Sequence, residues 1–95
     1  MKDEKIIEAR KLLCKYLGDL AKEKNLTTQK IAEITGFKQQ NVSRMLLGHY
    51  APTLDNFIML CDAIQTYIFI IDKDATTNDL VMMMKERWNR PGDAN

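Results

Sequence analysis

The chain has 95 residues, 45% of them hydrophobic and 28% charged, with a formal net charge of +1. That length supports one domain around one modest core and leaves no room for a separate catalytic domain, while the apolar content is too high for a disordered chain. The amino terminus MKDEKIIEARK interleaves charged and apolar residues, and the longest apolar run, YIFII, is far shorter than the ~20 residues that span a bilayer. Neither a secretory signal nor a membrane anchor is therefore expected, and the expected location is the cytoplasm.

The charge is unevenly distributed. Lys22, Lys24, Lys30, Lys38 and Arg44 against Glu23 and Glu33 leave residues 22–50 at +3, whereas Lys73 against Asp55, Asp62, Asp72, Asp74 and Asp79 leaves residues 53–84 at −4. A local basic surface on a nearly neutral chain suits an anionic partner.

Ile6, Leu13, Leu17 and Leu20, flanked by Ile7, Cys14 and Ala21, recur at spacings near 3.6 and predict a first helix from about Asp3 to Lys24. Asn25 marks a break. Thr27 or Thr28 can cap a short second helix to about Thr35, with Ile31, Ala32 and Ile34 as its apolar positions. Gly36 stands where a left-handed residue ends a helix, and Phe37 follows as an anchor. A third helix over about Lys38–Leu47 turns Val42, Met45 and Leu46 inward and Lys38, Gln39, Gln40, Ser43 and Arg44 outward, with Asn41 at the edge.

Gly48 closes that helix, and Pro52 disfavours helix before it. Thr53 caps a fourth helix to about Ile64 on Leu54, Phe57, Ile58, Cys61 and Ile64. The run TYIFIID, β-branched and aromatic without polar alternation, predicts a strand covered on both faces. A last helix is expected over about Asn78–Asn89, carrying Leu80 to Met84 and Trp88, with Asp79 in its first turn, until Pro91-Gly92 stops it. Cys14 and Cys61 fall on apolar stripes and are expected as reduced core side chains rather than a disulfide.

Two short helices joined by a glycine turn, the second with a polar outer face, have the layout of a helix-turn-helix: one helix braces on the DNA backbone while the other enters the major groove. The stretch LTTQKIAEITGFKQQNVSRMLLGHYAPTLDNFIMLCDAI, residues 26–64, resembles the Cro-type phage repressor, or xenobiotic-response-element, family. The matching residues are Ile31-Ala32, Gly36-Phe37, Val42-Ser43-Arg44-Met45, Gly48 and Pro52-Thr53-Leu54. The resemblance implies base contacts from Lys38, Gln39, Gln40, Asn41, Ser43 and Arg44, and phosphate contacts from Thr28, Gln29, His49, Tyr50, Thr53 and Asn56. The chemistry agrees, because a glutamine amide matches adenine N6 and N7 and an arginine guanidinium matches guanine O6 and N7.

The chain also departs from the family pattern. Thr28 stands where glutamine is usual, Leu46 where an acidic residue often completes an ion pair, and His49-Tyr50 where basic residues are common. Fewer cations imply weaker non-specific affinity. His49 has no second histidine or paired cysteine spacing beside it, so neither a metal nor a cofactor is expected.

A lone strand is unstable in water. Tyr67, Ile68, Phe69, Ile70 and Ile71 are expected to pair with the same segment of a second copy, an arrangement that also buries Met82, Met83 and Trp88; the alternative is a strand packed back on its own chain, with a short second strand near Lys73–Thr76. The expected fold is mainly α: a repressor-like DNA-binding bundle of four to five helices with a C-terminal strand and helix that mediate dimerisation. Residues 1–65 form the bundle, 66–90 the dimerisation extension and 91–95 a flexible tail.

The function expected is a transcriptional regulator, a repressor, acting as a homodimer on a palindromic operator in double-stranded DNA, with no membrane and no small-molecule substrate. One alternative is an antitoxin that binds its toxin protein through residues 66–90, and another is a protein-interaction module that never meets DNA. Cyanases carry a similar helical domain, but residues 66–95 hold no Arg/Glu/Ser constellation, so no enzyme is expected.

Overall fold

The structure, a computed structural model, describes residues 3–70, 72–74, 76, 78 and 82. Helix α1 spans Glu4–Glu23, α2 Thr28–Thr35, α3 Gln39–Leu46 and α4 Leu54–Ala63. Among the described residues, each of the helices α1 to α4 begins or ends on a residue suited to its backbone geometry. Asp3 caps α1, its carboxylate accepting from the Lys5 amide at 2.9 Å. Thr27 and Thr53 cap α2 and α4 in the same way, their hydroxyls accepting from the Lys30 and Asn56 amides at 3.1 Å. Each such cap is worth about 1 kcal/mol.

Three of the helices α1 to α4 end in the same motif. After α1, Asn25 takes a left-handed φ of 59° while the Leu26 amide donates to the Ala21 carbonyl and the Asn25 amide to that of Lys22. Gly48 does this for α3, with His49 and Gly48 donating to Arg44 and Met45, and Gln65 for α4, with Thr66 and Gln65 donating to Cys61 and Asp62. These paired bonds satisfy carbonyls that a helix end would otherwise leave open. Gly36 ends α2 at φ 82° with a single bond from its amide to Ala32.

The core gathers Leu17 and Ala21 of α1, Ile31 of α2, Val42, Met45 and Leu46 of α3, and Leu60, Cys61, Ala63 and Ile64 around the end of α4. Leu20, Leu26, Ala32, Phe37, Phe57 and Ile68 pack around it, and no polar side chain among the described residues is buried. Helix α2 lies against both α3 and α4, and α1 against α3. Gly18 permits that last approach, since a Cβ there would stand 3.3 Å from the Leu46 carbonyl oxygen. Lys24 ties the ends of α1 and α4, its Nζ donating to the Ile64 and Gln65 carbonyls at 2.7 and 2.9 Å. A cation on a helix's last carbonyls offsets the negative end of its dipole.

The helices match the expected spans, but their apolar stripes do not match throughout. Ile6 and Leu13 were expected inside, yet both are exposed, as is Ile34 on α2. On α4, Leu54 and Ile58 are exposed while Leu60 is buried in their place. The core takes Leu60, Cys61, Ala63 and Ile64, with Phe57 packed against them, so the expected Phe57, Cys61 and Ile64 face inward and Leu60 joins them. Both cysteines are free and buried.

The expected strand is also absent from residues 66–70, which leave α4 as irregular chain. Tyr67 and Ile70 are exposed, Phe69 is half-buried, and only Ile68 reaches the core. Extended backbone without a ladder neighbour forms no sheet, and the single chain offers none among the described residues. Asn78 and Met82 of the expected last helix are helical. The rest of that helix, Ile71, Met83, Trp88 and the expected tail 91–95 lie outside the described residues. No described helix is long and apolar enough to cross a membrane.

Candidate nucleic-acid interface

Helices α2 and α3 are joined by Gly36, Phe37 and Lys38. The left-handed glycine reverses the chain, and half-buried Phe37 fastens the turn to the core. Thr35 reinforces it, donating from Oγ1 to the Ile31 carbonyl at 2.8 Å while accepting from the Phe37 amide at 3.2 Å. Below this turn Val42, Met45 and Leu46 anchor one side of α3, so its other side is held outward.

That outward side carries Lys38, Gln39, Gln40 and Arg44, all exposed, with Asn41 and Ser43 half-buried at its edges. Gln40 and Arg44 are one helical turn apart. Lys38 precedes α3 without capping it through its side chain, so a cation accompanies the positive end of the helix dipole. Five of the six expected base-contact residues therefore lie on one short helix, with Lys38 at its N-cap.

Gln39 does something that spacing alone does not reveal. Its Nε2 donates to Thr28 Oγ1 at 3.1 Å, linking the beginnings of α2 and α3. One N–H and the amide oxygen of Gln39 remain available, which is the donor–acceptor pair that adenine requires. Thr28 thus braces the outward side of α3 at the position where the resemblance expects glutamine. Leu46 likewise replaces a charged brace with burial against Gly18.

The expected phosphate contacts flank α3 at two ends. Thr28 and exposed Gln29 stand at the start of α2, whereas exposed His49, Tyr50 and Thr53 and half-buried Asn56 stand in the α3–α4 turn and the first turn of α4. Lys30 is engaged with Glu33 at 3.9 Å, an exposed pair that contributes little. Two cations outside the expected set stand beside Thr28. Lys15 and Lys22 of α1 line a groove of about 480 Å³ together with Thr27, Thr28, Ser43 and Leu47. Their spacing of seven on α1 was the available signal, but only the fold shows which helix they border.

Among the described residues no group of His, Cys, Asp and Glu side chains is arranged to hold a metal ion. A bundle whose second and third helices meet at a glycine turn, with the third held outward by its own apolar side, defines a helix-turn-helix protein. The family model described as helix-turn-helix matches residues 17–70, more than half of the chain, and the chain belongs to that family of DNA-binding proteins, in its Cro and xenobiotic-response-element branch. Neither a comparison with curated proteins nor one with solved structures gives a match.

Proposed function

We propose that the protein is a transcriptional repressor that binds a two-fold-symmetric operator as a homodimer. Helix α3 enters the major groove, where Gln40 and Gln39 offer amides to adenine and Arg44 offers its guanidinium to guanine. Lys38, Asn41 and Ser43 extend the contact along the same groove. Thr28 and Gln29 on one side, and His49, Tyr50, Thr53 and Asn56 on the other, take phosphates of the flanking backbone and fix the register. Lys15 and Lys22 add charge beside Thr28.

The observation that supports this reading best is the Gln39–Thr28 hydrogen bond, which pre-orients a reading side chain while leaving its base-matching atoms available. Dimerisation rests on apolar side chains that one chain leaves uncovered, Tyr67 and Ile70 among them. Residues 67–71 of two copies pair as strands, bringing Met82, Met83 and Trp88 into the same interface, and set two α3 helices one DNA turn, about 34 Å, apart.

Selection of bound sites from a random duplex library tests the whole reading. Enrichment of a two-fold-symmetric site whose affinity falls with salt supports it; no enrichment at low salt contradicts it.

A further inference from the structure

The groove bordered by Lys15 and Lys22 has an apolar floor and a polar rim. Its floor is built from Ala21 of α1, Leu26, Ile31 of α2, and Leu46 and Leu47 at the end of α3, and it measures about 480 Å³. Gly18 deepens it, because α1 presents no side chain where it approaches Leu46. Leu47 on its wall remains 49% exposed. Small-molecule sites are concavities of roughly 300–1,000 Å³ with this kind of lining, mostly apolar with a few polar groups at fixed places.

The rim says which polar group a ligand should carry. Exposed Lys15 and Lys22 stand on it with exposed Asp19 between them, two cations against one anion, a net charge of +1. Among the described residues the ion pair within 4 Å is Lys30 with Glu33, so none of these three charges is engaged. Thr27 and Thr28 complete the rim. Thr27 Oγ1 already accepts from the Lys30 amide and Thr28 Oγ1 from Gln39 Nε2, so each hydroxyl keeps its proton to donate. Two cations and two hydroxyl donors above an apolar floor complement an amphipathic anion, and a rim of +1 is neutralised by one negative charge, not two.

We propose that this groove binds a small organic monocarboxylate, its hydrocarbon body on Ala21, Leu26 and Leu47 and its carboxylate at the rim of Lys15, Lys22 and Thr28, and that occupancy opposes operator binding. The second half rests on the DNA reading above. Thr28 holds Gln39 and is itself an expected phosphate contact, so a carboxylate beside it takes the place of a backbone phosphate and repels its neighbours. The coupling is reciprocal: bound operator weakens the ligand by the same factor.

Titration of the isotope-labelled full chain, followed by backbone amide resonances, tests the site with octanoate, neutral octanol and dimethyl phosphate. Octanoate should give saturable shifts at Gly18, Lys22, Leu26, Thr28 and Leu47, with a dissociation constant about tenfold below that of octanol, the difference that two exposed ion pairs supply. Lys15→Gln with Lys22→Gln should bring octanoate to the octanol value; both side chains are exposed, so the fold survives. No saturable shift with octanoate at about 10 millimolar, equal affinity for octanol, or shifts confined to other residues overturns the site. Dimethyl phosphate moving the same amides as strongly as octanoate also overturns it and gives the groove to the DNA backbone.

Anisotropy on the selected operator tests the coupling. Octanoate at about ten times its dissociation constant, against equal sodium acetate, should raise the apparent operator dissociation constant about tenfold. An unchanged value with the groove occupied overturns the coupling and leaves the site. If selection yields no operator, the DNA reading and the coupling fall together, while the amide shifts still decide the site.

Discussion

Gln39 Nε2 and Thr28 Oγ1 are 3.1 Å apart, so the side chain that opens α3 is held by the first residue of the helix before it. Thr28→Val keeps the shape and removes the acceptor. A net loss of about 0.5–1.5 kcal/mol is expected in operator binding, roughly a two- to twelvefold weakening, with discrimination relaxed at the base that Gln39 contacts. Fluorescence anisotropy on matched and singly substituted operators measures it. Thermal stability should move little, because the bond is exposed.

The two left-handed glycines should differ in what alanine costs. Gly36 has nothing within 4 Å of an added Cβ, so Gly36→Ala carries backbone strain alone, about 1–2 kcal/mol. Gly48→Ala meets Lys11 at 3.3 Å as well and should be the more destabilising substitution. Urea midpoints of the two variants decide the order, and equal midpoints would show that α1 yields without cost.

Lys24 supplies a clasp between helix ends that are far apart in sequence. Lys24→Met retains the aliphatic stem and deletes both bonds to the Ile64 and Gln65 carbonyls. Because the second of these is exposed, a loss of about 1 kcal/mol is expected by chemical denaturation.

Burial pushes the Cys14 thiol above its ordinary 9.0, with nearby Arg10 pulling the other way. The folded chain therefore holds that proton more tightly than the unfolded chain does. Stability from this group is intact below about pH 9 and declines as pH rises past that value toward the folded pKa. Urea midpoints from pH 8 to 10.5 should fall more steeply for wild type than for Cys14→Ala, and Cys14 should resist alkylation at pH 8 until the chain unfolds.

Much of the DNA-binding region was legible from local chemistry. Thr27, Gly36, Gly48 and Thr53 mark helix ends through hydroxyl caps and glycine geometry, and those signals need no tertiary contact. Val42, Met45 and Leu46 likewise assign the inner side of α3 by spacing. What spacing cannot say is which of two adjacent apolar faces a neighbouring helix covers. Ile6 and Leu13 have the same periodicity as Leu17, yet they are exposed while Cys14, Leu17 and Ala21 are buried.

The strand reading of residues 66–72 met a related limit, since β-branched residues favour extension but a ladder depends on a neighbour that composition does not name. Thr28 taking over from glutamine, and Lys24 reaching across to Ile64, depend on distances between helices. Neither leaves a pattern in the sequence.

The reading of α3 as the base-contacting helix is tested most directly by the double substitution Gln40→Ala with Arg44→Ala, assayed by anisotropy on an operator selected with the wild-type protein. Both side chains are exposed, so the fold should survive. A loss of about 1–3 kcal/mol per base contact is expected, together roughly thirtyfold or more, with non-specific DNA affinity reduced far less. Unchanged affinity for the selected operator, in a variant with native helix content, would contradict base reading by this helix.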